Sequence, residues 1–317
     1  MIVIYEILCT IIFRHLNFYD KHTYKRTRKY MERIHITNLY DIDTGYLTAL
    51  DDDILLNYKF AVRLCACYSE KITNLNHMTK LKVLNGNDTI NDKGICELNL
   101  EKLYVSYNRH ITDVNHMTNL KELYAGNNCG INDECIKNIN LEILYASDNP
   151  KITNVNHMTN LKELYASNNC GINDEGIKNI NLEILYTNDN HKITNVNHMT
   201  NLKELLAFGT SGINDHGISN INLEILAVSH NPKITNVNHM TNLKELYANI
   251  NCGINDHGIS NINLEILHAT YNPKITNVNH MTNLKELYAD GDCGIDNHGI
   301  CNLKLNVLDA SCNPKIN

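Results

Sequence analysis

The sequence predicts an α/β repeat fold: a solenoid whose short parallel strands form a curved sheet, with 3₁₀-like or helical turns on the convex side and a helical module at the N-terminus. Three observations predict it. The 41-residue stretch from Leu161 to Asn201 recurs in close copies from about residue 61 to the C-terminus. Each copy splits into two halves, LKELYASNN and LEILYTNDN, that both read Leu-x-x-Leu-x-small-x-x-Asn with an Ile three residues after the Asn. Residues 1–30 do not follow this phase. A unit of this size can bury its apolar side only against its neighbours, so the period has to be read before anything else.

The half-copy of 20 or 21 residues lies at the short end of the ~20–29 range of leucine-rich repeats. Leu161, Leu164, Ala166, Asn169 and Ile172, then Leu182, Leu185, Thr187, Asn190 and Ile193, carry a resemblance to that family over about four fifths of the chain. Rungs begin at Ala61, Leu81, Leu100, Leu120, Leu141, Leu161, Leu182, Leu202, Leu223, Leu243, Leu264, Leu284 and Leu305, which makes about 13 over residues 61–317. Residues 36–60 read as a degenerate first repeat in which Asp51, Asp52 and Asp53 echo the later INDEGI turn.

Two rung types alternate. One continues NPKITNVNHMTN, with Ile152, Val155 and Met158 three apart; it resembles the internalin-like pattern and predicts a 3₁₀-like turn. The other continues NNCGINDEGIKNI, where Asp174 is placed to cap a helical turn over 175–180. It resembles the cysteine-containing repeats of F-box proteins with leucine-rich repeats. Asn149, Asn169, Asn190, Asn231, Asn251 and Asn272 read as one buried amide ladder, interrupted at Thr210 and Asp292.

Residues 1–35 carry a net charge of +4 and the remainder −11. Ile4, Leu8, Ile11 and Leu16 recur at helical spacing as one apolar stripe. The segment reads either as a cap over the first rung or as an F-box-like module. The second reading rests on a resemblance: an apolar helix, a Leu16-to-Asp20 turn and a basic helix after it, without the family's Pro near the start or Trp near the end. It implies that the four stripe residues dock on a Skp-type adaptor of a cullin ubiquitin ligase. The apolar run Ile2 to Phe13 is too short for a bilayer, which needs ~20 residues, and carries Glu6; neither a membrane nor a secretory role is expected.

The acidic solenoid argues against nucleic acid, whose phosphates need clustered Lys and Arg. Cys129, Cys170, Cys252 and Cys293 recur on alternate rungs, about 10 Å apart at ~4.8 Å per rung, too far for a disulfide. Such thiols fit a reducing compartment, and the cytoplasm is the expected location. His77, His116, His157, His198, His239 and His280 have the same spacing and cannot share a metal; they read as solvated convex residues. With no phosphate loop, nucleophile elbow or HExxH motif, no cofactor and no catalysis are expected.

Strand alternation puts Leu161, Leu164 and Ala166 inside and Lys162, Tyr165 and Ser167 on the concave face. The position after each first Leu alternates Glu and Lys from Glu101 to Lys285, a charge zipper between rungs. Tyr104, Tyr124, Tyr145, Tyr165, Tyr186, Tyr247 and Tyr288 form a second ladder. Leu206, Phe208, Ala227, His230, Ile250, His268 and Tyr271 depart from the copied pattern on that face, as an exposed apolar partner site would. The expected function is therefore protein binding, by a monomer: Leu206, Phe208, His230, Ile250, His268, Tyr271, Tyr165, Tyr186 and Tyr247 hold a partner, and Ile4, Leu8, Ile11 and Leu16 an adaptor. The alternative is a plain scaffold whose N-terminal helices are only a cap. The Asn-, Ile- and Lys-rich, nearly verbatim duplication resembles repeat proteins of amoebae and their giant DNA viruses; a viral chain would act in the host cytoplasm.

Overall fold

A computed structural model describes residues 37–40 and 47–316, in two compact units that divide between Leu141 and Glu142. The N-terminal stripe of Ile4, Leu8, Ile11 and Leu16 lies outside the described residues. The first unit holds β1 (Asn38–Leu39), β2 (Arg63–Cys65), β3 (Val83–Asn85), β4 (Lys102–Tyr104) and β5 (Glu122–Tyr124). The second holds β6 (Ile143–Tyr145), β7 (Glu163–Tyr165), β8 (Ile184–Tyr186), β9 (Glu204–Leu206), β10 (Ile225–Ala227), β11 (Glu245–Tyr247), β12 (Ile266–His268), β13 (Glu286–Tyr288) and β14 (Val307–Asp309). Within each unit every strand pairs in parallel with the next in sequence, Leu opposite Leu, as in Leu164 against Leu185 and Leu246 against Leu267. Each unit is a parallel β-solenoid.

From β2 onward the strands are three residues long. Each begins two residues after its rung's first apolar residue, so the central Leu is inward and its two neighbours face out. Leu164, Leu185, Leu205 and Leu226 are fully buried, as are the turn residues Ile152, Val155 and Met158. That inward period of three comes from single turns closed by bonds between residues three apart, Met158 N–H donating to Val155 O and Leu161 N–H to Met158 O, the expected 3₁₀-like turn without a continuous helix. The other rung type makes one helical turn, α-helical at Asp174–Ile177 and 3₁₀ at Asp256–Ile259.

Asn173, not Asp174, caps that helical turn, accepting from Gly176 N–H. Asp174 instead reaches the following rung: Oδ1 accepts from Thr194 N–H at 2.7 Å and Oδ2 from Thr194 Oγ1 at 2.6 Å. Asp215 and Asp256 do the same to Thr235 and Thr276. A carboxylate spent between rungs leaves the cap to the residue before it. The exposed histidines also reach across rungs, with His198 Nε2 3.0 Å from Ile177 O and His239 Nε2 2.9 Å from Ile218 O.

The amide ladder differs most from expectation. Asn149, Asn190, Asn231 and Asn272 are buried, but Asn169 and Asn251 are exposed. In the cysteine rungs one extra residue lies between the central Leu and the inward polar position, and that position is filled by Cys129, Cys170, Cys252 and Cys293, or by Ser211. Thr210 and Asp292 are therefore no interruption; both lie one residue before the inward position and are exposed. Each buried Asn ties down the cysteine rung before it. Asn190 Nδ2 donates to Ala166 O and Ile172 O at 2.8 and 3.2 Å, and Asn231 Nδ2 to Ala207 O and Ile213 O at 3.0 and 3.2 Å. Lys192 Nζ adds a third bond, to Cys170 O at 2.9 Å. Burial pushes the Cys170 and Cys252 thiols up to about 11, which keeps them protonated, and the ten described cysteines carry thiols.

Rungs approach closely enough to require glycine twice per pair, and a Cβ at Gly253 would sit 2.3 Å from Ile234 O. A Cβ at Gly258 would sit 1.9 Å from Thr235 O. In the first unit Gly94 holds one place like that of Gly258 and Cys135 the other, and at Cys135 the inter-rung bond from Val114 N–H is 3.2 Å, against 2.8 Å from Leu75 N–H to Gly94 O and 2.9 Å from Val237 N–H to Gly258 O; the backbone gives way by a few tenths of an ångström to admit the side chain.

Asn231→Ala should cost about 2–4 kcal/mol in urea unfolding, since it strands two buried carbonyls. Asn169→Ala, at the exposed homologous letter, should stay within about 0.5 kcal/mol. Equal effects would refute the alternation of Asn and Cys at the inward position.

Candidate protein-binding face

Two rows of side chains flank the central Leu on the outward face of the second unit. The row before the Leu reads Ile143, Glu163, Ile184, Glu204, Ile225, Glu245, Ile266, Glu286. The row after it reads Tyr145, Tyr165, Tyr186, Leu206, Ala227, Tyr247, His268, Tyr288. All are half-buried except Ala227, which is buried. The first row was not singled out from the sequence, although the alternation of LKELY with LEILY carries it.

The rings stack on one another along the sheet, as a parallel register at ~4.8 Å per strand dictates. Tyr145 and Tyr165 lie 3.7 Å apart with planes 6° apart, and Tyr165 meets Tyr186 edge-on at 4.6 Å. Tyr247, His268 and Tyr288 form a second stack at 4.1 and 4.3 Å. Leu206 and Ala227 separate the two. In the first unit Tyr104 stacks on Tyr124 at 4.1 Å, and the Arg63 guanidinium lies 4.9 Å over Tyr40.

Phe208 and Leu206 occupy the outward face, half-buried, with Phe208 N–H held by Asn188 Oδ1. His230, Ile250 and Tyr271 are placed differently from expectation. They occupy the turn after the strand, in left-handed backbone with φ of 61°, 28° and 54°. Asp148, Asn168 and Asp189 hold the same place in the other rungs, and Gly209 and Gly291 do so without a side chain. The left-handed region favours Gly, Asn and Asp, so a β-branched Ile250 there stores about 1–3 kcal/mol of strain. Tyr271 is 46% exposed and lies over Gly291, where a Cβ would come within 2.2 Å of the ring. These three residues form a rim beside the strand face, and the sequence-predicted set divides between face and rim.

The charges fall into two classes. The Glu row of the zipper is neutralised: Lys203 Nζ meets Glu183 at 2.8 Å, Lys244 meets Glu224 at 2.7 Å and Lys285 meets Glu265 at 2.5 Å. These lysines hold the three carboxylates below the usual range. The glutamates of the strand face bond to phenols instead. Tyr186 Oη donates to Glu204 at 2.6 Å, Tyr165 to Glu163 at 3.2 Å and Tyr288 to Glu286 at 3.1 Å. The neighbouring Glu245 carboxylate, with burial, pushes Tyr247 up to about 12; burial and then Glu204 also raise Tyr186. These phenols stay protonated donors. A shallow polar depression beside the zipper is lined by Asn160, Asn181, Asn201, Lys162 and Glu183. Among the described residues no group of three or more His, Cys, Asp or Glu side chains is placed to hold a metal ion, and no helix is long and apolar enough to cross a membrane.

Burial holds His268 below the ordinary histidine range, while Glu245 and Glu286 pull it upward. The unfolded chain protonates this ring near pH ~6.5 and the folded chain only at lower pH. The stability it contributes above that value is lost as pH falls through the folded value. His268→Tyr keeps a flat ring between Tyr247 and Tyr288, so between about pH 7 and 5 its unfolding midpoint should fall less than the wild type's. Parallel curves would refute the buried, neutral imidazole.

No protein family and no curated protein matches the chain in sequence. Solved structures do match its backbone. The functional domain of InlJ from Listeria monocytogenes, which includes a cysteine ladder, aligns over 81% of this chain and 64% of its own at 18% identity and a TM-score of 0.40. A leucine-rich-repeat protein of Leptospira interrogans aligns over 86% and 77% at 14% identity and 0.37. An internalin from Listeria monocytogenes aligns over 87% of this chain and 84% of its own at 20% identity and a TM-score of 0.57. That last likeness is one of fold, and with the rung register above it makes the chain a leucine-rich-repeat solenoid.

Proposed function

We propose that this protein is a non-catalytic scaffold that binds a protein partner on the outward sheet face of its second unit. The observation that carries the reading is the row of half-exposed rings, Tyr145, Tyr165 and Tyr186 and then Tyr247, His268 and Tyr288, on a face where the core needs no side chain at all. Tyrosine offers large contact area at low entropic cost and is enriched where interfaces are tightest. Leu206 and Phe208 add apolar area between the two stacks, and the rim residues His230, Ile250 and Tyr271 border it. A monomer in the cytoplasm is part of the proposal, supported by buried thiols that recur on alternate rungs.

The test is affinity capture with quantitative mass spectrometry, comparing wild type with Tyr165→Ser/Tyr247→Ser and with Lys178→Ser on the opposite side. A partner held by wild type and the Lys178 variant but lost by the double Tyr variant, with circular dichroism unchanged, is the expected result. Undiminished capture of the same partner by the double variant would overturn the assignment of the face.

A narrower role, as substrate receptor of a cullin-type ubiquitin ligase, rests on the resemblance of residues 1–30 to an F-box, with Ile4, Leu8, Ile11 and Leu16 on the adaptor. Full-length protein should then pull down a Skp-type adaptor and a chain lacking residues 1–30 should not. Failure of the full-length chain to bind would end this role and leave the scaffold reading in place.

A further inference from the structure

The strand face of the second unit carries an imbalance that the first unit lacks. In the first unit Lys102, just before a central Leu, pairs with Glu122 on the neighbouring strand. The homologous places in the second unit are Ile143, Ile184, Ile225 and Ile266. Glu163, Glu204 and Glu245 therefore stand between isoleucines and Glu286 between Ile266 and Val307, and among the described residues no Lys or Arg lies within ion-pair distance of them. Three of them accept a hydrogen bond from a Tyr phenol. A carboxylate set among half-buried rings and isoleucines loses solvation without gaining a counter-charge. Of the neighbouring zipper's lysines, Lys203, Lys244 and Lys285 are engaged with Glu183, Glu224 and Glu265.

We infer that the partner on this face is a basic, extended protein segment with Arg or Lys at every third residue. The inference rests on the sheet face being the partner site and adds the chemistry of what sits there. Charge complementarity sets the sign. An Arg fork takes a carboxylate, and a ring lies beside each glutamate, Tyr165, Tyr247 and Tyr288 on the same strand and Tyr186 on the strand next to Glu204. Spacing sets the period. The four glutamates recur on alternate strands, about 10 Å apart at ~4.8 Å per strand. A polyproline II segment turns once per three residues at ~3.1 Å each, returning a side chain to the same side every ~9.3 Å. A β-strand returns one every ~6.6 Å and would fall out of step after a single contact. Nucleic acid is excluded by the sign of the charge, and a second copy would bring the same acidic face.

Fluorescence anisotropy with labelled synthetic peptides and the full chain tests this. The probes are four repeats of Arg-Pro-Ser, a peptide of the same composition with Arg at every second residue, and four repeats of Glu-Pro-Ser. The first should bind at least about tenfold more tightly than the second, weaken with added salt, and the third should not bind. Glu163→Gln/Glu204→Gln/Glu245→Gln/Glu286→Gln should lose the first peptide by at least about tenfold, whereas Glu183→Gln/Glu224→Gln should not, since those carboxylates already have lysines. Absence of peptide binding, equal binding of the two Arg peptides, or an undisturbed quadruple variant would overturn the inference. A captured cellular partner that needs Tyr165 and Tyr247 but tolerates the quadruple variant would overturn it while leaving the scaffold reading intact.

Discussion

Everything in this molecule depends on satisfying main-chain carbonyls that the rungs bury in their turns. A strand of three residues can pair only those three residues with the neighbouring strands; the chain then bends inward, and the carbonyls of Ala166, Cys170 and Ile172 are left in the turn for a side chain to satisfy. A buried carbonyl without a donor costs about 1–3 kcal/mol, repeated in every second rung. The structure meets this with a single Asn amide and a single Lys ammonium from the next rung. Once those donors are fixed, the stacking distance, the register of Leu on Leu and the need for glycine at the closest approach follow, because a rung that moved away would lose them all together.

The same economy explains the division of labour between sides. On the turn side nearly every polar group is spent between rungs: Asp on Thr, Asn on helix carbonyl, His on Ile carbonyl. The strand face is free of such duty, since its backbone is paired in the ladder and its side chains touch only one another. Residue choice there answers to packing between rings and to whatever docks, and it is on this face and its rim that the copies diverge.

Much of this was legible in the sequence. Leu and Ile at a period of 20 or 21 residues, with Leu164 and its homologues fully buried, announce the solenoid because burial is periodic in the same way as the letters. Two things were hidden, both for reasons of phase. Asn169 and Asn190 look equivalent counted from the first Leu, but one extra residue in the cysteine rung turns Asn169 outward and puts Cys170 where Asn190 sits. His230, Ile250 and Tyr271 look like strand residues if alternation is continued past the third residue; the backbone has by then entered left-handed turn geometry, which no hydrophobic period records. The glutamates of the face were passed over because Glu in LKELY reads as ordinary surface until its missing lysine is noticed.

Alternation also governs how such a chain can lengthen. Asp174 needs a Thr after it, and Lys203 needs the Glu of the other rung type. Insert or delete one rung and two of a kind meet: glutamate faces glutamate along the zipper, and the Asp of a helical turn loses the Thr it reaches. Only the pair is a viable quantum of growth. Unequal crossing-over in the gene can therefore register in steps of the double unit, and a family of such chains should differ in length by whole pairs, the way a zip fastener shortens only by whole teeth.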